Sequence, residues 1–368
     1  MAAKSGRQMN PIGVDLSGDG VRAVQLESTD KGLRVADRAA HTWPSGAADE
    51  DVRGHLGRLL KEHHFQGYRI AMSLPGDQVS VHHVRLPVMP QEQLDEAIAT
   101  TLADRLPCPA ADTVMRHVEI FATSGRDCQA DHIVFAVPRA VVERQLQMAE
   151  RLGLMVVGIN ALPLAIGHAF SYLGRRRDET GFTFLLAHLE KRATHLLIMH
   201  EGEMRFARTI GTGVHDLLEA AAAQSGRPVK ELCEQQALMM KHQPDTVMLN
   251  SRMTAAPETP QHAASLPYQL AGAALDNYVE EILSGLCYFS STVNTHGVDK
   301  AVFVGPQAND YGFCQMLANR LGLPAQIGDP FAGIELPAGE LPAAPADRRP
   351  EPEMAAAVGL SLFGAMVN

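Results

Sequence analysis

Two separate runs of apolar strands, each followed by helices, restrict the fold of this chain more than any other feature of its sequence. The first run lies at residues 11–27, where apolar residues flank a turn rich in glycine and aspartate. The second lies at residues 182–210, where short polar turns separate three strands. Turns of this composition favour hairpins. Because 368 residues exceed what a single core normally supports, the pattern predicts an α/β protein with two similarly built lobes.

The segment between the two strand runs has its own pattern of apolar residues. A strand, a helix stopped by prolines, two further strands and a second helix follow one another there. We interpret this β-α-β-β-α segment as a module inserted into the first lobe. By residue number, the predicted division is a disordered N-terminus (1–10), the first lobe (11–76 and 155–178), the inserted module (77–154), the second lobe (179–334), a loop rich in Pro and Ala (335–352) and a helix packing on the lobes (353–368).

Composition excludes several classes of function. The net charge of -10 opposes nucleic-acid binding, which needs a basic face. The five cysteines are widely spaced and none forms a C-x-x-C pair, so we expect reduced thiols in the cytoplasm. No apolar run is long enough to predict direct insertion into a membrane.

The 16 histidines raise the question of a metal site. His63–His64 and His82–His83 are adjacent pairs, and neighbours on a strand point to opposite faces, so neither pair is suited to share an ion. The sequence has no His-Glu-x-x-His motif, no Walker-type phosphate loop and no Gly-x-Ser-x-Gly nucleophile motif. We therefore interpret the histidines as structural.

Four segments resemble a known family. They are Gly13–Leu26, Leu74–Pro107, Leu185–Gly213, and the stretch from Ala301–Phe331 on to the AAAVGLSLFGA sequence near residue 360. Taken in order over nearly the whole chain, they resemble the type IV pilus assembly PilM family and, more distantly, the actin-family cell-division protein. The resemblance implies a two-lobed actin-like (ribonuclease H-like) fold with an inserted subdomain in the first lobe.

The resemblance also implies a nucleotide site, with ATP and Mg²⁺ as candidate cofactors. In such proteins two opposed hairpins hold the phosphates through backbone N–H groups, and a carboxylate positions Mg²⁺ through water. Asp15 is the candidate for that carboxylate. The candidate nucleotide-binding residues are Asp15, Ser17, Gly18 and Gly20 in the first hairpin, Thr194, Gly211 and Gly213 in the second, and Gly305 in the adenosine turn.

Three departures from the family pattern argue against ATP hydrolysis. His188 replaces the second acid that would position Mg²⁺, and Glu190 stands in place of a turn glycine. Pro306 follows Gly305 and removes one backbone N–H from the adenosine turn. We expect hydrolysis to be weak or absent, although Glu190 acting as the missing acid stays open.

The resemblance implies a cytoplasmic scaffold, held at the inner membrane by a partner. Its partners would be the N-terminal cytoplasmic peptide of a PilN-type membrane protein and other proteins of the pilus platform. Such a peptide needs an apolar groove, and Leu86, Val88 and Met89 are the candidate contacts, whereas Leu102 is assigned to the module's core. An active actin-like ATPase or kinase, and a type II secretion platform, are the alternatives, and self-association stays open.

Overall fold

The computed structural model describes residues 8–17, 20–43, 49–122, 128–177, 181–241, 248–249, 267–292, 297–337 and 349–366. Its strands, in chain order, are β1 (Gln8–Met9), β2 (Ile12–Ser17), β3 (Gly20–Thr29), β4 (Gly32–Thr42), β5 (Arg69–Ser73), β6 (Ser80–Pro87), β7 (Thr113–Ala122), β8 (Gln129–Pro138), β9 (Met155–Asn160), β10 (Thr183–Leu189), β11 (Thr194–His200), β12 (Glu203–Ile210), β13 (Met248–Leu249), β14 (Lys300–Val304) and β15 (Ala325–Ile327). Its helices are α1 (Asp49–Glu62), α2 (Gln91–Leu102), α3 (Arg139–Arg151), α4 (Leu162–Arg177), α5 (Val214–Ser225), α6 (Val229–Lys241), α7 (Ala273–Thr292), α8 (Tyr311–Leu321) and α9 (Ala355–Met366).

Two mixed sheets are built on the same plan. In the first, the order is β1-β3-β2-β5-β9, and β4 also pairs with β3. In the second, the order is β12-β11-β10-β14-β15-β13. Each sheet begins with an antiparallel meander, and strands parallel to the first strand of that meander extend it. The equivalence of the two sheets explains the repeated strand pattern in the sequence.

Helices α4 and α9 lie between the two sheets and share a core with both. That core contains Leu26 of the first sheet, Leu186 of the second, Ile166 of α4 and Leu360 of α9, each fully buried. Helix α9 carries no charged residue, which suits a helix covered on every side. The two lobes are therefore joined through these two helices.

A third, antiparallel sheet has the order β6-β8-β7. Helix α2 covers one of its faces through Leu94, Ile98 and Leu102, which pack with Leu86 of β6. We propose that this sheet and its helices form the inserted module. The side chain of Leu102 is fully buried, so the structure confirms its assignment to the core.

Some boundaries differ from the sequence-based expectation. Gln8–Met9 pair with β3 and Asn10 is buried, so the predicted disordered N-terminus does not extend over these residues. Leu336, in the predicted loop 335–352, is also buried. The backbone of Glu335 bonds to Leu33 and Val35 and thus ties this segment to β4. The middle of that loop, residues 338–348, lies outside the described residues.

Candidate functional site

The first hairpin, β2–β3, contains a buried carboxylate. Asp15 is 2% exposed and accepts a hydrogen bond from the Ser73 hydroxyl over 2.6 Å. The Ser17 hydroxyl donates to the carbonyl of Gly20 over 3.2 Å and accepts a bond from Arg22. The predicted residue Gly18 lies outside the described residues, as does Asp19. Asp15, Ser17 and Gly20 are thus gathered at one hairpin, with a cationic side chain beside them.

The second hairpin, β10–β11, turns over residues 190–193, where the N–H of Glu190 donates to the carbonyl of Ala193. Thr194, a predicted nucleotide contact, is fully buried at the start of β11. Its hydroxyl donates to the carbonyl of Thr212 over 3.1 Å and lies 2.9 Å from the Tyr278 hydroxyl. The structure therefore commits the hydroxyl of Thr194 to bonds within the second lobe.

Two histidines and a glutamate meet on the same hairpin. His188 and His195 are directly opposed across β10 and β11, and both side chains are fully buried. Glu190 lies 3.8 Å from His188 Nδ1 and 3.7 Å from His195 Nε2, with its side chain 14% exposed. The Nδ1 atom of His195 lies 3.1 Å from the Thr209 hydroxyl.

Neighbouring side chains stabilise the ionised form of the Glu190 carboxylate. Burial by itself raises the pKa of this carboxyl, but the surroundings outweigh burial and bring the pKa to about 2. The lowering comes first from His195, and then from His188 and Arg22. The carboxylate is therefore ionised at neutral pH, and it faces imidazole nitrogens of its own lobe.

The three predicted glycines of the second lobe have different surroundings. Gly211 has open space where a Cβ would lie, whereas a Cβ at Gly213 would be 2.4 Å from the backbone of Lys191. Gly305 has a φ of 90°, and its N–H donates to the carbonyl of Pro352 over 2.8 Å. The predicted adenosine turn therefore uses this donor inside the chain, and Gly213 is required by close packing under the hairpin turn.

The residues present fit Mg²⁺ and ATP only in part. Asp15 provides the carboxylate that would position Mg²⁺ at the first hairpin. The second hairpin offers two imidazoles instead, and Mg²⁺ prefers oxygen ligands to imidazole nitrogens. Thr194 and the N–H of Gly305 already have partners within the chain.

A groove of about 380 Å³ lies where the third sheet meets the rest of the molecule. Its walls include Val118 and Glu119 of β7, Leu164 and Gly167 of α4, and Met204 of β12. Both apolar and charged side chains line it, and β7 is an edge strand of its sheet. An edge strand beside an apolar groove can accept an extended peptide.

The three predicted partner contacts lie elsewhere on the third sheet. Leu86 is 9% exposed and packs, with Met89 beside it, in the core under α2. Val88 is 57% exposed and bonds through its N–H to the carbonyl of Cys128. Of the three side chains, that of Val88 is therefore the most available to a partner.

Comparison with known proteins places the chain in a family. The family described as type IV pilus assembly protein PilM matches residues 13–237, a range that includes both hairpins and the whole third sheet. The chain belongs to the PilM family. Among the described residues of this PilM-family chain, none of the helices is both long and apolar enough to cross a membrane.

Solved structures agree with this assignment at the level of the fold. The chain is similar to the PilM-PilN type IV pilus biogenesis complex, with a TM-score of 0.76 and 17% identity, over 96% of this chain and 98% of that one. It is also similar to the ethanolamine utilization protein EutJ from Carboxydothermus hydrogenoformans, with a TM-score of 0.50 and 14% identity, over 97% and 90% of the two chains. The predicted two-lobed actin-like fold is confirmed, and this PilM-family chain is an actin-like protein of type IV pilus assembly.

The cluster of His188, Glu190 and His195 was missed by reasoning from sequence. The adjacent histidine pairs can be recognised as candidate metal ligands from the sequence alone. The residues of this cluster come together only when two strands pair. The signal that could have found it is a histidine two residues before a glutamate on one strand, with a second histidine opposite the first. Residues two apart on a strand, and residues directly opposed, share one face of a sheet.

Proposed function

We propose that this PilM-family chain is a platform that binds an extended cytoplasmic peptide of a PilN-type membrane protein. The groove beside β7 is the observation that carries the proposal, since it joins an edge strand to an apolar cavity. Main-chain hydrogen bonds to an edge strand give affinity, and pockets for alternate side chains give specificity. The similarity to a PilM-PilN complex supports a partner of this kind.

The position of the groove favours a linking function. Its walls come from β7 of the third sheet, from α4 between the two large sheets, and from the β11–β12 part of the second lobe. Arg205 of β12 donates to the carbonyl of Ile120 in β7, so the groove is closed on one side by a direct contact. A peptide bound there would touch the third sheet and the main body together.

A labelled peptide with the N-terminal cytoplasmic sequence of the PilN-type protein from the same genome tests this. We expect saturable binding, measured by fluorescence anisotropy. The substitution Leu164→Trp should weaken it at least tenfold, because the larger ring fills the groove. Absence of binding at high micromolar concentration would contradict the proposal.

Val88→Arg is the matched control on the other exposed part of the third sheet. Val88 is the exposed member of the three contacts predicted from the sequence, and an arginine at this exposed position is not expected to disturb folding. If the groove is the site, this variant binds the peptide within about twofold of wild type. Weaker binding by Val88→Arg but not by Leu164→Trp would instead place the peptide at residues 86–89.

We also infer that the nucleotide site is degenerate. The observations behind this inference are the imidazoles of His188 and His195 at the second hairpin and the Gly305 N–H bonded to Pro352. Millimolar ATP with Mg²⁺ is then expected to leave the melting temperature unchanged and to release no phosphate, because a ligand that does not bind cannot stabilise. A rise in melting temperature that is lost in Asp15→Asn would overturn the inference and favour the ATPase alternative.

A further inference from the structure

The second hairpin gathers three side chains whose donor atoms suit a metal ion. One nitrogen of His188, one of His195 and one oxygen of Glu190 all lie within 4.8 Å of one another. Among the described residues, no other group of three His, Cys, Asp or Glu side chains meets this condition. We propose that these three residues bind a divalent transition-metal ion, for which Zn²⁺ is the best-suited probe.

The backbone fixes the arrangement. His188 and His195 are directly opposed across two antiparallel strands, so their side chains leave the same face of the sheet. Glu190 follows two residues after His188 and returns to that face. All three residues therefore sit on one short hairpin, where little conformational entropy is lost when they converge on an ion.

The spacing of the three donor atoms is wider than in a coordinated site but within reach of one ion. Glu190 lies 3.8 Å from His188 Nδ1 and 3.7 Å from His195 Nε2. Zinc bonds of 2.0–2.2 Å in a tetrahedron place two donor atoms about 3.3 Å apart. The two distances run to the two different oxygens of Glu190, and the three donor atoms lie within 4.8 Å of one another, so side-chain rotations that bring them together by up to about 1.5 Å complete the site. The two imidazole rings, with centres 5.9 Å apart, need no change of strand register.

His195 already has the outer contact that a metal-binding histidine requires. Its Nδ1 lies 3.1 Å from the Thr209 hydroxyl, which leaves Nε2 facing Glu190. Such an outer hydrogen bond orients the ring and fixes its tautomer. Nε2 has no hydrogen-bond partner among the described residues, and His195 is fully buried. In the tautomer whose Nδ1–H donates to Thr209, Nε2 is an acceptor that faces a carboxylate oxygen, and a cation between the two acceptors relieves their repulsion.

The donor set selects the class of ion. Imidazole nitrogens suit Zn²⁺, Cu²⁺, Fe²⁺ and Ni²⁺, whereas Mg²⁺ and Ca²⁺ favour oxygen ligands. Two histidines and one carboxylate leave a fourth position for water or another ligand. The side chain of Glu190 is 14% exposed, so that position is not sealed by the two histidines alone.

Titration of the metal-free full-length chain with ZnCl₂ against a coloured chelator tests the proposal. We expect one ion per chain, with binding at least tenfold weaker in His195→Gln and in Glu190→Gln. His168→Gln is the matched control, because His168 is partly buried, stacks on Phe363 with ring centres 5.3 Å apart, and lies outside the cluster. Mg²⁺ in large excess is not expected to compete.

Cysteines are the other source of zinc affinity. Cys233 Sγ lies 3.5 Å from His215 Nδ1, so Cys233→Ser is the second control and should keep full binding. A Co²⁺ spectrum without a thiolate charge-transfer band is expected for the histidine site. The proposal is overturned if wild type and His195→Gln bind zinc equally well. It is also overturned if the wild-type protein, with a normal circular dichroism spectrum, binds no stoichiometric zinc. A proton shared between His195 and Glu190 would then explain the cluster.

Discussion

Gly76 of the first lobe lies against the imidazole of His195 in the second. A Cβ atom added at Gly76 would be 2.4 Å from Nε2 and 2.7 Å from Cε1 of that ring, closer than real Cβ contacts come. The two lobes therefore touch at this point, with a glycine on one side and a buried ring on the other. Any side chain at residue 76 has to displace His195 or move the lobes apart.

Gly76→Ala is predicted to destabilise the chain by about 1–3 kcal/mol, the usual cost of overpacking. Urea denaturation measures the change. Gly54→Ala is the control, because nothing lies within 4 Å of a Cβ at this exposed position in α1. There the alanine is expected to stabilise by about 0.5–1 kcal/mol, since glycine is a poor helix former. Equal stability of the Gly76→Ala variant and wild type would show that His195 does not occupy this position.

Gly359→Ala is predicted to have a larger effect, at or above about 3 kcal/mol. A Cβ at this residue of α9 would be 1.7 Å from the backbone oxygen of Ala165 in α4, and a backbone atom cannot move aside cheaply. In Gly57→Ala the new Cβ meets only the end of the Leu152 side chain, at 3.0 Å, so a change within about 0.5 kcal/mol is expected. The comparison uses thermal or urea unfolding, and similar losses in the two variants would refute the close helix contact.

Thr194→Val is predicted to destabilise by about 1–3 kcal/mol without any nucleotide present, because it leaves buried polar groups unpaired. Thr194 and the Tyr278 hydroxyl are 2.9 Å apart in the core of the second lobe. A double-mutant cycle with Tyr278→Phe should therefore show a coupling of about 0.5 kcal/mol or more. Additive effects in urea unfolding would mean that the two hydroxyls do not interact.

Stability is predicted to fall as the pH drops below about 6.5. Burial lowers the pKa of His83, more than its bond to Ala207 and the charge of Asp131 raise it. A histidine with a lowered pKa in the folded state contributes stability above the unfolded pKa, and that stability is lost as the pH falls through the folded pKa. Melting temperatures between pH 7.5 and 5.5 measure the loss.

The variant His83→Gln should show a smaller loss of melting temperature over the same pH range. The ring of His83 stacks on Phe206 with centres 5.0 Å apart, so the variant also starts from a lower melting temperature. His64→Gln changes an exposed histidine and serves as the control, with the pH dependence of wild type. The prediction fails if both variants follow the wild-type pH dependence.

Elements with strong local signals could be predicted from the sequence. The helix Tyr311–Leu321 has clear signals at both ends, because Asp310 caps its N-terminus by accepting from the N–H of Phe313 and Gly322 ends it with a φ of 66°. The strand Ala325–Ile327 was not predicted. It has only three residues and is held by pairing with β14, a distant segment, rather than by its own pattern.

The histidine cluster depends on the register between β10 and β11, and a one-residue error in that register leaves the cluster unrecognised. In the sequence the polar turn of this hairpin covers Glu190, Lys191 and Arg192, and a turn of these three residues would set His188 opposite Thr194. In the structure the paired residues nearest the turn are Leu189 and Thr194, so His188 faces His195. Register decides which side chains meet, and a shift of one residue changes every pair. Local periodicity cannot fix that register.

Helix α9 fills the space between two sheets, and most of their strands come from much earlier in the chain. Gly13 of β2 would place a Cβ 2.0 Å from the carbonyl oxygen of Ala357, so the first strand and this helix are in direct backbone contact across more than 340 residues of sequence. During synthesis, the apolar faces that α9 covers stay exposed to solvent until residues 355–366 leave the ribosome. Contacts so distant in sequence form slowly, and exposed strand surface invites aggregation meanwhile. A nascent chain of this protein is therefore expected to keep these apolar faces exposed, and to be prone to aggregation, until α9 has been synthesised.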